Sequence, residues 1–226
     1  MVRRAVLTSA LIRRSLSGTA VPDVPAQPSE LASDTKRATS PGTPTRPPPL
    51  SYEAGLLERV DDERELPRDL RGWFVDRFEA EIGHGEDDFA AARDALRRWQ
   101  QFDRDWLILA DDPALIEEGA VVAYAAQVLG TWWGYGCRIL RLIDEPTRFG
   151  FIYGTIQGHA ERGEELFLVQ LHPDATVTYS LFAMSRPGRW FSWPGMPIAR
   201  HAQGRFRPTS ANAMRRAVAA AAPRSS

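Results

Sequence analysis

RFGFIYGTIQGHAERGEELFLVQLHPDATVTYSLFAMS, residues 148–185, holds three runs that read as strands with almost nothing between them. In the first, Arg148–Ile156, Phe149, Phe151 and Tyr153 share one side while Gly150 and Gly154 share the other, the two-residue period of an extended chain. Leu166–His172 and Thr176–Ser185 follow, and the turns between them carry Gly, Pro, Asp or Glu. Connections this short have no room for a crossover helix, so neighbouring strands must run antiparallel.

Working upstream, Cys137–Ile143, Gly119–Val128 and Trp106–Ala110 extend the meander to six predicted strands. Before them, Arg71–Ile82 places Phe74, Phe78, Ala80 and Ile82 on one parity and ends at Gly83-His84-Gly85. Asp87 or Asp88 then caps a predicted helix in which Phe89, Ala92, Leu96 and Trp99 form an apolar stripe. Downstream, Ile198, Ala202 and Phe206 and then Ala213, Met214, Ala217 and Val218 keep a helical period. Pro208 interrupts it, so the expectation is a helix over Met196–Arg207, a kink or break, and a second stretch to Ala222. The expected fold class is α+β: a curved antiparallel sheet of about seven strands, one helix on the N-terminal side and a long C-terminal helix.

Strand glycines mark the close approach of another element, and the C-terminal helix is the expected occupant of the Gly150 and Gly154 side. A wide antiparallel sheet curls, and a helix across its concave side leaves room for a cavity.

The rest of the chain bounds what such a domain does. Residues 1–49 are expected to form a disordered Pro-, Ser- and Arg-rich arm, 50–222 a single domain and 223–226 a disordered tail. Eight of the 17 prolines lie in the first 50 residues, and that stretch carries seven Lys plus Arg against three acids, whereas the remainder carries 21 against 26. Arg3, Arg4, Arg13 and Arg14 without an acid up to Ala20 have the composition of an organelle transit peptide, an alternative to the cytoplasmic location expected by default. The formal net charge of -1 gives no electrostatic case for nucleic acid, and no apolar run is long enough for a transmembrane segment. Cys137, the only cysteine, rules out an intramolecular disulfide and a Cys-rich zinc site.

The chemistry-bearing residues are few. His159, Glu161 and Arg162, with Glu164 and Glu165, read as a charged loop between two strands. A carboxylate beside histidine tunes an imidazole for proton transfer, and an arginine holds an anion. Gly158 and Gly163 bracket the same stretch, and a glycine-ended hairpin loop explains it equally well without chemistry. Trp132 and Trp133, between two predicted strands, and Trp190 and Trp193, near Pro194, are read as pocket or portal residues, as an exposed patch for a protein partner, or as covers of the core. Tyr153 completes the candidate ligand-binding set. His84 and His201 have no ligand partners at metal-binding spacing, and no glycine-rich phosphate loop occurs, so neither a metal nor another cofactor is expected.

Several stretches resemble the family catalogued as domain of unknown function 1990: Leu50-Ser51-Tyr52, Gly83-His84-Gly85 leading to Phe89, Trp132-Trp133 before Cys137-Arg138, Arg148-Phe149-Gly150-Phe151 with Tyr153-Gly154-Thr155, Gly158 through Glu165, and Phe182-Ala183 with Ser185-Arg186-Pro187. Glu53 and Ala160 stand where the family pattern has proline, and Pro208 enters a region that pattern keeps helical. The resemblance brings no activity and no catalytic residues. Its element order is similar to the helix-grip fold of the START and Bet v 1 groups, which implies a small apolar or amphipathic ligand held between sheet and C-terminal helix. An enzyme using the His159 to Glu165 loop for proton transfer and a noncatalytic interaction module remain the alternatives.

Overall fold

The first strand, β1 (Phe74–His84), turns directly into a helix, α1 (Gly85–Arg97). In the computed structural model residues 48–59, 70–102, 107–109, 115–128, 131–159, 161–188 and 196–221 are described, with the side chains of 128, 131–133 and 196–203 set aside. The Gly83-His84-Gly85 turn has a local cause. Gly85 has a φ of +87°, and a Cβ on Gly83 would lie 2.6 Å from Asp88 Oδ2. That carboxylate accepts the His84 N–H at 2.8 Å, so the helix starts at Gly85 with His84 at the capping position. The expected cap at Asp87 or Asp88 is corrected: Asp88 lies within the first turn and reaches back.

The meander follows as β2 (Leu107–Leu109), β3 (Val121–Val128), β4 (Thr131–Glu145), β5 (Arg148–Thr155), β6 (Glu161–Leu171) and β7 (Thr176–Pro187), and α2 (Met196–Ala221) closes the chain. The seven strands form one antiparallel sheet in the order β1-β7-β6-β5-β4-β3-β2, so the first strand pairs with the last. Strand, helix, six-strand meander and crossing helix make the helix-grip plan expected from the sequence.

Three elements depart from expectation. β4 starts at Thr131 rather than Cys137, so Trp132 and Trp133 stand in the ladder opposite Gln127 and Ala126 instead of in a loop. Gly134 and Gly136 hide the alternation that would have shown this. β6 starts at Glu161 rather than Leu166, so the charged run is strand and not loop. It tolerates polar residues because they find partners: the Gly163 N–H donates to Thr155 Oγ1 at 3.1 Å, and Glu164 accepts two backbone N–H groups. Finally, α2 runs through Pro208 without a break. Pro208 and Gly204, four residues before it, are both exposed, so the carbonyl that loses its partner lies where water reaches it, while the Thr209 hydroxyl bonds the Arg205 and Phe206 carbonyls at 2.7 and 3.0 Å.

Both helices pack on the concave face. Phe89, Leu96, Phe149, Phe151, Phe167, Met214 and Val218 are buried there together. The Tyr179 hydroxyl and Ser210 Oγ, both fully buried, join β7 to α2 at 2.8 Å. Farther along, Arg215 Nε donates to Glu81 O at 2.7 Å, beside the irregularity between Glu81 and Gly83 in the β1 register.

The glycine side is covered by another element than expected. Tyr52, Leu56, Leu57 and Trp73, from the segment before β1, pack on the convex face with Leu140, Ile152 and Met184. A Cβ on Gly154 would lie 2.0 Å from the Tyr52 hydroxyl oxygen. The helices instead take the side of Phe149 and Phe151, where the large apolar area is. A register shift in β4 between Ile139 and Arg141 helps the convex segment, with Leu140 packed under it and Arg141 Nη1 reaching Glu58 Oε1 at 3.0 Å. No helix among the described residues is long and apolar enough to cross a membrane.

Candidate functional site

The middle of the concave face is filled. The Phe102 ring lies 5.7 Å from Tyr124, 5.7 Å from Phe167 and 5.4 Å from Phe206 of α2, and Phe151 stacks on Phe167 at 5.2 Å. Toward the end of the sheet where β3, β5 and β7 finish and β4, β6 and β1 begin, the lining becomes polar. The register puts Asp76 (β1), Ala183 (β7), Glu165 (β6), Tyr153 (β5) and Ile139 (β4) in one row across the sheet. Tyr124 of β3 pairs with Tyr135 of β4 close by, their rings 5.4 Å apart.

Glu165 accepts a hydrogen bond from the Tyr153 hydroxyl at 2.8 Å. Burial pushes its carboxyl up to about 7, against the smaller opposing effects of the Tyr153 bond and of Arg207. Arg207, on α2, pairs with Asp76 at 2.7 Å, both well shielded. His159 sits in the turn between β5 and β6, its ring 4.8 Å from Tyr135. Its Nδ1 accepts the Glu161 N–H at 3.0 Å, which assigns the neutral ring's proton to Nε2, 3.5 Å from the Tyr124 hydroxyl. Burial lowers His159 to about 4, so the ring is neutral at pH 7. Burial likewise raises Tyr124 and Tyr153, and pushes Tyr135 up to about 12.

Tyr124, Tyr135, His159 and Glu165 all keep intermediate solvent access although desolvation dominates their protonation. We take the end of the sheet where they gather as a recess beside α2, since a flat surface would hydrate these groups fully and a sealed core would leave them no access. Among the described residues the Tyr135 hydroxyl has no protein hydrogen bond, and the Glu165 carboxyl has only the one from Tyr153. The recess therefore offers an open carboxylate oxygen, phenolic hydroxyls and an imidazole Nε2–H. Among the described residues no group of three or more His, Cys, Asp or Glu is placed to hold a metal ion. Cys137 is buried between these rings, and desolvation raises its thiol far above the range of a nucleophile.

Of the residues singled out from sequence, Tyr153, His159 and Glu161 come to this recess. Arg162 does not: it pairs with Arg186 on the convex face, where Arg186 stacks over Trp73 at 4.6 Å. Strand alternation separates it from Glu161. Trp132 and Trp133 hold ladder positions at the same end of the sheet, and Trp190 and Trp193 lie outside the described residues. Tyr124, Tyr135, Asp76 and Arg207 were not read as site residues. For Tyr124 the available signal was its parity with Val122, and for Arg207 nothing local distinguished it from its helix's other arginines.

The Domain of unknown function (DUF1990) family matches over residues 56–213. A UPF0548 protein from Deinococcus radiodurans is 33% identical over 181 residues, covering 71% of this chain and 90% of its own. One from Dictyostelium discoideum is 31% identical over 169 residues, covering 70% and 78%. Among solved structures, ginseng major latex-like protein 151 from Panax ginseng superimposes with a TM-score of 0.42 at 13% identity, over 67% of this chain and 99% of its own. With the matched tract running from the convex anchor at Leu56 and Leu57 through the recess at Glu165 and into α2, the chain belongs to the DUF1990 family.

Proposed function

We propose that the chain is a binding protein for a small amphipathic molecule, held in the recess between the open end of the sheet and α2. The observation that carries this reading is the set Tyr124, Tyr135, His159 and Glu165, partly exposed yet strongly desolvated, with open hydrogen-bonding atoms beside aromatic rings. The apolar body of the ligand rests against the rings, and its polar end meets the Glu165 and Tyr135 oxygens. The test is binding of a fluorescent amphiphile, naphthylmethanol, to the wild type, His159→Ala and Arg162→Ala. His159→Ala should weaken binding at least several-fold with little loss of thermal stability, and Arg162→Ala should leave binding alone. Equal thermal losses with unchanged binding would sink the reading.

A second reading, proton transfer in the same recess, rests on Glu165 alone: a carboxyl at about 7 is poised to exchange protons near neutral pH. It keeps the His159 to Glu165 region as the reacting side but moves the acid-base role onto a strand residue.

A further inference from the structure

Among the described groups the recess carries more acid than base. Arg207 is its one cation among the described groups around Glu165, and it is committed to Asp76 at 2.7 Å. Glu161 and Glu165 stand on the same side of β6, four residues apart, and Glu161 acts electrostatically on Tyr124, Tyr135, Cys137 and Glu165. His159 offers no positive charge at neutral pH. Around the carboxylates stand ring faces: Tyr124 and Tyr135 at 5.4 Å, Tyr135 and His159 at 4.8 Å, and Tyr153 bonded to Glu165 itself. Acids alone would only be a solvated cluster. Acids set among tyrosine rings in a desolvated recess recognise a cation, because the ring faces attract it while the carboxylate takes its N–H groups.

Resting on the binding reading above, we infer that the ligand is an amine, bound as its ammonium ion with the N–H groups on Glu165 and the charge beside the Tyr124, Tyr135 and Tyr153 rings. An ammonium favours ionised Glu165, so uptake is linked to loss of its proton. The groups facing Glu165 are Tyr153 from β5, Arg207 from α2, Glu161 from its own strand, Asp76 from β1, and Tyr124 and Cys137 from β3 and β4. The phenols and the thiol, all raised by burial, stay neutral across this range. Glu165 is therefore the group whose titration an amine should feel.

The experiment compares naphthylmethylamine, naphthylmethanol and naphthylacetate, which share one apolar body, by calorimetry on the full chain at about pH 6 and about pH 8, either side of the Glu165 value of about 7. The amine should bind roughly tenfold more tightly than the alcohol at the higher pH, and the acetate least. That preference should shrink at the lower pH and vanish in Glu165→Gln. Tyr135→Leu, which leaves every carboxyl in place, should lower amine affinity several-fold and alcohol affinity little. An alcohol that binds as well as the amine, or a preference that survives Glu165→Gln, overturns the inference while leaving the binding reading intact. Failure of all three probes overturns both.

Discussion

Glu164 and Glu165 are neighbours in β6 whose carboxylates serve opposite faces of the sheet. Glu164, 3% exposed, accepts the Gly55 and Leu57 N–H groups at 2.7 and 3.1 Å and so fastens the segment that covers the convex face. Glu165, on the concave face, takes the Tyr153 hydroxyl and lines the recess. Substituting each should therefore separate stability from binding. Glu164→Ala strands one buried and one partly buried donor and should cost about 2–4 kcal/mol in urea unfolding. Glu165→Gln keeps an acceptor for Tyr153 and removes a desolvated carboxylate, so at neutral pH it should leave the fold at least as stable as the wild type, while altering binding. Equal destabilisation by both would contradict the division of roles.

The contact between Tyr52 and Gly154 gives a second test. Gly154→Ala puts a Cβ 2.0 Å from the Tyr52 hydroxyl oxygen, with the ring carbon behind it at 3.2 Å. The hydroxyl is buried beside Glu164, whose oxygens already accept the Gly55 and Leu57 N–H groups, and it makes no hydrogen bond of good geometry among the described residues, so Tyr52→Phe alone should cost little. In the Tyr52→Phe background the Gly154→Ala penalty, about 2–4 kcal/mol in the wild type, should fall by about 1 kcal/mol or more. Additive effects in thermal unfolding would show that the two residues do not touch.

Protonation supplies a third. His159 is lowered from 6.5 to about 4, so the folded state binds fewer protons there and stability is lost as pH falls from 6.5 to 4. Glu165 is raised from 4.5 to about 7, so the folded state binds more protons and stability is lost as pH rises from 4.5 to 7. Each contributes up to about 3 kcal/mol before screening, and over the shared window they offset one another. Glu165→Gln should expose the His159 slope, with stability relative to wild type rising with pH, and His159→Asn should expose the opposite slope. Parallel stability curves for all three proteins would mean that neither group is perturbed.

Pro208 is the fourth. It sits within α2 and is exposed, so Pro208→Ala restores a backbone hydrogen bond without touching the core. A gain of about 1–2 kcal/mol is expected, below the full helix penalty of proline because the unfolded chain also gains freedom. A loss would mean that the proline shapes the helix for Arg207.

How much of this was readable in advance follows from what alternation can and cannot show. Phe149, Phe151 and Tyr153 declared their strand because large rings alternate with glycine. The same glycines announced a close neighbour but not which one, since nothing in Gly154 distinguishes a helix from the Tyr52 ring. Glu161 to Glu165 looked like a loop because charge outweighed alternation, and with the strand start misplaced, Arg162 and His159 seemed to be companions. The pairing of β1 with β7 is nonlocal, so the approach of Asp76 to Glu165 left no trace in either segment. Tyr124 lay inside a run read only as a strand, and Arg207 gained its role solely from where α2 crosses the sheet.

The most direct test of the recess is a titration of isotope-labelled protein with naphthylmethanol and naphthylmethylamine, followed by NMR. Saturable shifts should gather at Tyr124, Tyr135, Tyr153, His159 and Glu165, leaving Arg162, Arg186 and Glu164 unmoved on the other face. Shifts confined to the convex face, or none with either compound, would contradict a ligand site between the sheet and α2.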